Sequence, residues 1–207
     1  MRTFVATKNP GKLEEIKAIF TGSPLDLDIY PLYAPPPEGD ANYADNAALK
    51  ARALHRQLQE AGIDAAVLAD DSGLEVDALG GRPGVLSARY AGEDATWPRR
   101  RERLLEELAN APSDQRAAKF CCAMALVLPN GEELPGYGEV EGVIGGEERG
   151  SFGFGYDPLF FYPPANRTFA EVEEEEKNRV SHRRRAADTL LSALRERRHG
   201  DARHGDA

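Results

Sequence analysis

Thr3-Phe4-Val5-Ala6-Thr7-Lys8-Asn9-Pro10-Gly11-Lys12 is the stretch whose reading decides the fold. Thr3–Ala6 reads as a short apolar strand. Beyond Lys12, the residues Leu13, Ile16, Ile19 and Phe20 recur at helical spacing. A strand that passes into a helix through such a loop points backbone N–H groups and a helix N-terminus at one place, which suits an anion. Thr7 and Asn9 add neutral donors there, and Lys8 and Lys12 add charge. The run is not a Walker loop, because Gly11-Lys12 is followed by Leu13. An ordinary strand-to-helix turn accounts for these residues equally well.

Outward from that stretch, residues 31–40 are proline-rich and read as a loop. A helix follows over Tyr43–Glu60, with Ala44, Ala47, Ala48, Ala51 and Leu58 as its apolar stripe. Val67-Leu68-Ala69 predicts a short buried strand ending on Asp70-Asp71-Ser72-Gly73. Gly80–Gly84 is a turn cluster, and a helix is expected near Trp97–Ala109. The continuous apolar run Phe120–Leu128 predicts a strand, Asn130-Gly131 a hairpin turn, and Leu134–Val143 the partner strand. The last helix is expected over Ser181–Arg197 with Ser181 as N-cap, followed by a disordered tail over residues 198–207. Strands and helices mixed in this way predict an α/β protein with a mixed sheet.

The chain's 207 residues suffice for one large domain and a sizeable core. A net charge of −9 argues against binding a nucleic-acid polymer over a broad surface, while leaving room for a small anion held by local cations. No apolar run is long enough to span a bilayer, and the first residues are too short an apolar stretch for a signal peptide. Cys121 and Cys122 are neighbours in the apolar strand, so their side chains point to opposite faces. They read as core thiols of a reduced, cytoplasmic protein.

Three clusters carry chemistry. Ser151-Phe152-Gly153-Phe154-Gly155-Tyr156-Asp157-Pro158 interleaves aromatics with glycines, as suits stacking on a flat heterocycle, and also reads as a turn. Adjacent carboxylates at Asp70-Asp71 are costly at a strand end unless cations or donors satisfy them, and a hard divalent ion such as Mg²⁺ takes oxygen ligands of that kind. Glu38, Asp45 and Lys50 are further candidates, although Asp45 and Lys50 do not share one face of their helix. Lys177, His182 and Arg183 form a basic cluster at the start of the last helix. The acid run Glu171–Glu176 and the basic run Arg99–Arg101 read as solvated faces.

With these motifs placed, the sequence resembles the inosine triphosphate pyrophosphatase family. The matching segments are Ala6–Lys12, Asn46–Ala51, Ala69–Leu74, Leu79–Gly84, Ser87–Tyr90, Gly153–Pro158, Glu176–Asn178 and Ser181–Arg183, in order over about residues 3–195. The resemblance implies an elongated two-lobed α/β catalytic domain over residues 1–197, a homodimer, and Mg²⁺-assisted hydrolysis of aberrant purine nucleoside triphosphates (ITP, dITP, XTP) to monophosphate and pyrophosphate. Carried over by position, Thr7, Lys8, Asn9, Pro10, Gly11 and Lys12 hold the triphosphate; Lys50 is expected as a catalytic residue that neutralises it beside Lys8, Lys12 and Mg²⁺. Asp71 is the proton acceptor and a metal ligand with Glu38 and Asp45, and Ser72 touches substrate. Phe154, Gly155, Tyr156, Asp157, Lys177, His182 and Arg183 contact the nucleotide, largely at its base. Asp45 departs from the family, which commonly carries Glu there. Rival readings are a nucleotide-binding regulatory module, against which the Asp70-Asp71 pair argues, and a Maf-like pyrophosphatase acting on other nucleotides.

Overall fold

The computed structural model describes the backbone of residues 1–204 and the side chains of residues 1–198. The elements run β1 (Arg2–Val5), α1 (Pro10–Ile19), β2 (Asp26–Ile29), α2 (Tyr43–Glu60), β3 (Ala66–Val76), β4 (Pro83–Gly84), α3 (Trp97–Glu107), β5 (Ala117–Val127), β6 (Glu133–Ile144), β7 (Phe160–Tyr162), β8 (Arg167–Thr168), α4 (Glu174–Val180) and α5 (His182–His204). The strands hydrogen-bond in the order β2-β1-β3-β5-β6-β7-β8, with β4 paired to β3. β1 is parallel to β2 and β3, while β3–β4, β6–β7 and β7–β8 are antiparallel, so the sheet is mixed as expected. The chain divides into two compact units. The first comprises Met1–Asp71, Cys122–Gly138 and the chain from Arg183; the second comprises Ser72–Cys121 and Glu139–His182.

In the first unit, Phe4, Val5 and Ala6 are buried because a strand between two parallel neighbours is covered on both faces. α1 starts where Asn9 caps it, its Oδ1 accepting from Lys12 N at 3.2 Å, with Pro10 at the first helical position. α2 starts at Asn42, whose Oδ1 accepts from Asp45 N at 2.7 Å. Of its buried positions, Tyr43, Asn46, Ala47, Lys50, Ala51, Leu54 and Leu58 form a stripe at three- and four-residue spacing, and Ala53 and His55 widen the buried face. Ala44, expected in that stripe, is exposed, since the helix turns Tyr43 and Ala47 inward instead. Ile16, Phe20, Leu68, Met124, Leu126, Leu190 and Leu194 build the core. Each such side chain contributes about 1.5–3 kcal/mol on burial. At Gly136 a Cβ would lie 2.5 Å from the Ala186 carbonyl oxygen, so only glycine lets β6 approach α5 this closely.

The second unit packs Leu74, Val76, Leu104, Leu108, Phe120, Val140, Tyr156, Phe160 and Phe169 into its own core. Phe120 and Phe169 stack at 6.1 Å between centroids, and Phe160 lies against both. Thr168 and Glu171 form a reciprocal capping box, which removes Glu171 from the expected solvated acidic face.

Several expectations are corrected. Asp70-Asp71-Ser72-Gly73 does not end a strand but lies inside the eleven-residue β3. β2, β7, β8 and α4 were not anticipated, being too short for periodicity to register. α3 ends at Glu107, not near Ala109. In the run Arg99–Arg101, Arg99 pairs at the surface with Glu102 and Glu106, Arg101 is half-buried and pairs with the exposed Glu148, and Arg100 is buried. α5 continues helically past Arg197 through His204, where a disordered tail was expected; residues 205–207 lie outside the described residues. Cys121 and Cys122 are buried and neither is in a disulfide, as expected.

Candidate functional site

In the first unit, β1 releases the chain into the Thr7–Lys12 loop just after Ala6 N bonds Leu68 O at 2.8 Å. Thr7 Oγ1 accepts from Asn9 N at 3.1 Å, so the two polar side chains first shape the loop itself. Lys8 is exposed. Lys12 Nζ lies 3.1 Å from Asp70 Oδ2.

Asp70 and Asp71 follow each other in a strand, so they face opposite sides and hold different partners. Asp70 takes Lys12 and, at 3.2 Å, Arg183 Nε; Arg183 Nη1 reaches Glu15 Oε2 at 3.2 Å. This network is buried, with side-chain exposures of 4%, 2% and 7% for Arg183, Asp70 and Glu15. Asp71 Oδ1 accepts from Lys50 Nζ at 2.9 Å, and Oδ2 from Asn46 Nδ2 at 3.1 Å. Lys50 Nζ also donates to Glu38 Oε1 at 3.0 Å. The adjacent carboxylates are therefore not a dyad but two separately held groups, and the pair does not by itself distinguish an enzyme from a binding module. Arg183 commits its Nε to Asp70 and its Nη1 to Glu15.

Asn46 is the residue that sequence reasoning missed. Besides holding Asp71, it exchanges bonds with Gly39, donating to its carbonyl at 3.0 Å and accepting from its N–H at 2.9 Å. Asn46 and Lys50 stand four residues apart on one helix face, and that spacing was the available signal. Farther along α2, Gln57 exchanges the same pair of bonds with Ala34, at 3.0 and 2.8 Å. Asp45 points elsewhere. It is exposed and accepts from Asn42 Nδ2 at 2.7 Å. Among the described residues no group of three His, Cys, Asp or Glu is arranged to hold a metal, so Glu38, Asp45 and Asp71 do not form a three-ligand site.

Burial pushes the Asp71 carboxyl above its ordinary value, against the pull of Lys50 and Lys12. Burial alone would lower the Lys50 ammonium, but Asp71, Asp70 and Glu38 outweigh it and hold the ammonium well above its ordinary value. Tyr33 is buried nearby, and its phenol is pushed up to about 12 by that burial.

In the second unit, the glycine-aromatic segment is anchored by Ser151 N and Phe152 N on Ala170 O, at 2.9 and 3.0 Å. Gly153 has φ +69°, and a Cβ there would lie 2.2 Å from Asp157 Oδ2. That oxygen accepts from Phe154 N at 2.8 Å and from Lys177 Nζ at 2.6 Å. Lys177 is buried, its ammonium 5.1 Å from the Phe154 ring centroid and 5.7 Å from that of Phe169. Tyr156 is no stacking platform. It is buried, donates to Ser87 O at 3.1 Å, and meets Trp97 edge-on at 5.6 Å. Phe154 is half-buried and Phe152 is 47% exposed. His182 is buried and stacks on Phe120 at 4.9 Å. Ser72 is half-buried in β3 beside Asp71.

Comparison with known proteins gives a consistent answer. The model of the Ham1 family matches residues 3–193. A dITP/XTP pyrophosphatase of Exiguobacterium sibiricum is 45% identical over 197 residues, covering 94% of this chain and 97% of that relative. One from Geobacter sulfurreducens is 46% identical over 93% of this chain and 96% of its own length. A solved HAM1 protein from Coxiella burnetii superposes with a TM-score of 0.82 at 36% identity, covering 95% of this chain and 99% of that one.

Proposed function

The chain belongs to the Ham1 family, and from that premise we propose that it is an enzyme hydrolysing aberrant purine nucleoside triphosphates (ITP, dITP, XTP) to the monophosphate and pyrophosphate. The observation that carries this reading is the buried Lys50 ammonium, held at 2.9 Å from Asp71 and 3.0 Å from Glu38. A cation and carboxylates at that spacing suit phosphate charge and a water to be deprotonated. Residues 1–197 are read as one catalytic domain.

Lys8, Lys12 and Lys50, with the backbone N–H groups of Lys8 and Gly11 in the Thr7–Lys12 loop, bind and neutralise the triphosphate. Asp71 takes a proton from water as its oxygen attacks the α-phosphorus; the bond from that phosphorus to the bridging oxygen breaks, and pyrophosphate leaves intact. Glu38 and Asp71 are the carboxylates that would hold a hard divalent cation such as Mg²⁺ beside the phosphates. Once bound, such an ion supplies charge neutralisation on the phosphates. Asp45 is not assigned to it. Asn46 orients Asp71, and Arg183 holds Asp70 against Lys12. The base is assigned to Phe154, the Gly155 backbone, Lys177 and His182, with Tyr156 and Asp157 shaping the loop. Ser72 is assigned to substrate by its place beside Asp71.

No helix among the described residues is long and apolar enough to cross a membrane. The buried thiols of Cys121 and Cys122, in no disulfide, suit a reducing cytoplasm, and a homodimer is proposed from the resemblance.

Pyrophosphate release from ITP, XTP, dITP, ATP, GTP, dTTP and UTP, with Mg²⁺ and with chelator, tests the reading. Turnover of the 6-keto aberrant purines above the others is expected, with ¹⁸O from labelled water in the monophosphate. No turnover supports a regulatory module, and pyrimidine preference supports Maf-like chemistry. Orthophosphate in place of pyrophosphate refutes attack at the α-phosphorus.

A further inference from the structure

α3 presents two residues to the glycine-aromatic loop that the reading above leaves without a role. Arg101 Nη1 donates to the Gly155 carbonyl oxygen at 2.9 Å, while its Nε lies 2.8 Å from Glu148 Oε1. The arginine side chain is only 12% exposed. Trp97 lies edge-on to Tyr156, and a Cβ at Gly155 would sit 3.7 Å from its ring, in van der Waals contact. Trp97 is itself held from another side, with the Arg100 guanidinium 4.9 Å from its ring centroid. Arg100 is buried and tethered to Glu93 O at 3.0 Å.

The segment needs such support. Gly153 and Gly155 both have positive φ, +69° and +68°. Glycine enters that region and leaves it at little cost, so the peptide planes here have no intrinsic preference for one orientation. Asp157 settles one plane by accepting from Phe154 N. Asp157 N donates to the Phe154 carbonyl at 3.2 Å and holds the next plane. Arg101 settles the one after it, between Gly155 and Tyr156, by demanding the Gly155 carbonyl on its own side, and the Trp97 ring limits where that glycine can move. A site that discriminates purines by hydrogen bonds must keep its donors and acceptors in place, because discrimination comes from the partner left unpaired by the wrong base.

We propose that Arg101, with Trp97 behind it, is a positioning residue that sets the purine selectivity of this enzyme by locking the Gly155 peptide plane. This rests on the assignment of the base to Phe154 and the Gly155 backbone.

Arg101→Ala and Arg101→Lys test it, with kcat and KM for ITP, GTP and ATP, inhibition by base-free tripolyphosphate, and amide hydrogen exchange over residues 151–158 without nucleotide. Loss of one hydrogen bond from a charged donor predicts about a 10-fold higher KM for ITP in Arg101→Ala. The ITP preference over GTP and ATP narrows by a similar factor, while kcat and tripolyphosphate inhibition hold. Exchange over 151–158 becomes faster, and Arg101→Lys recovers part of each effect. An equal loss for all three nucleotides, or unchanged preference, overturns the proposal. If the wild-type protein does not hydrolyse ITP, the functional reading fails by itself. Exchange then decides the positioning role alone, and unchanged protection in Arg101→Ala overturns it.

Discussion

Asp70→Asn and Asp71→Asn should separate cleanly, although the residues are neighbours. Asp70 is the counter-charge for Lys12 and Arg183, and its side chain is 2% exposed. Its amide would place an N–H₂ against one of those cations. Removing one partner of a buried ion pair costs about 3–5 kcal/mol, because the remaining charge stays desolvated. For a chain of this size that lowers Tm by roughly 6–20 °C. Asp71 differs. Burial already disfavours its charged form, so a neutral amide relieves part of that cost and still accepts from Lys50. The offsetting penalty is a donor facing Asn46 Nδ2, worth about 1–2 kcal/mol. Turnover should nevertheless fall by at least ~10²-fold, the usual worth of a positioned base. Urea unfolding followed by circular dichroism, with pyrophosphate release on the same preparations, measures both. Near-normal kcat in Asp71→Asn would remove it as the base. Equal destabilisation by the two variants would refute the separation of their partners.

Arg183→Ala should destabilise the protein by about 3–5 kcal/mol and lower kcat/KM for ITP and ATP by one common factor; a selective loss for ITP would restore Arg183 as a base reader. Gly153→Ala forces a Cβ to 2.2 Å from Asp157 Oδ2 at a positive φ. It should cost about 1–3 kcal/mol and raise KM for ITP without changing tripolyphosphate inhibition; an unchanged KM would detach this loop from the substrate. Because the folded-state pKa of Asp71 is raised, the native protein binds more protons than the unfolded chain in the window upward from the ordinary value of 3.8, so this residue's contribution falls as pH rises through it. Measured without Mg²⁺ or nucleotide, Asp71→Asn should gain stability relative to wild type across that window, and a relative loss would contradict the direction.

Much of this architecture was legible locally. Asn42 caps α2 and the apolar spacing carries it to Glu60, so both ends could be read. Asn130-Gly131 marks the β5–β6 turn, with Gly131 at φ +85°. What failed depended on distant partners. A polar run such as Asp70-Asp71-Ser72-Gly73 resembles a strand end until Lys12 and Arg183, 58 and 113 residues away, arrive to neutralise it. Arg183 showed its charge but not its commitment to Glu15. Asp45 took its ligand role from the family resemblance, and the one-residue step round the helix that separates it from Asn46 decides its direction. The site's aromatic loop was visible, but not that Tyr156 turns into the core.

The two clips from α2 to the preceding loop have a mechanical consequence. Asn46 grips Gly39 and Gln57 grips Ala34. These two helix positions stand about 16 Å apart along the axis at 1.5 Å per residue. The intervening chain is Pro35-Pro36-Pro37-Glu38. In a polyproline conformation the step from Ala34 to Gly39 covers about 15 Å. The segment is thus close to taut, and the prolines act as a ruler that sets how far along α2 the Glu38 carboxylate is delivered. Adding or deleting one proline would shift it by about 3 Å relative to Lys50, a whole ligand position, without altering any residue of the site.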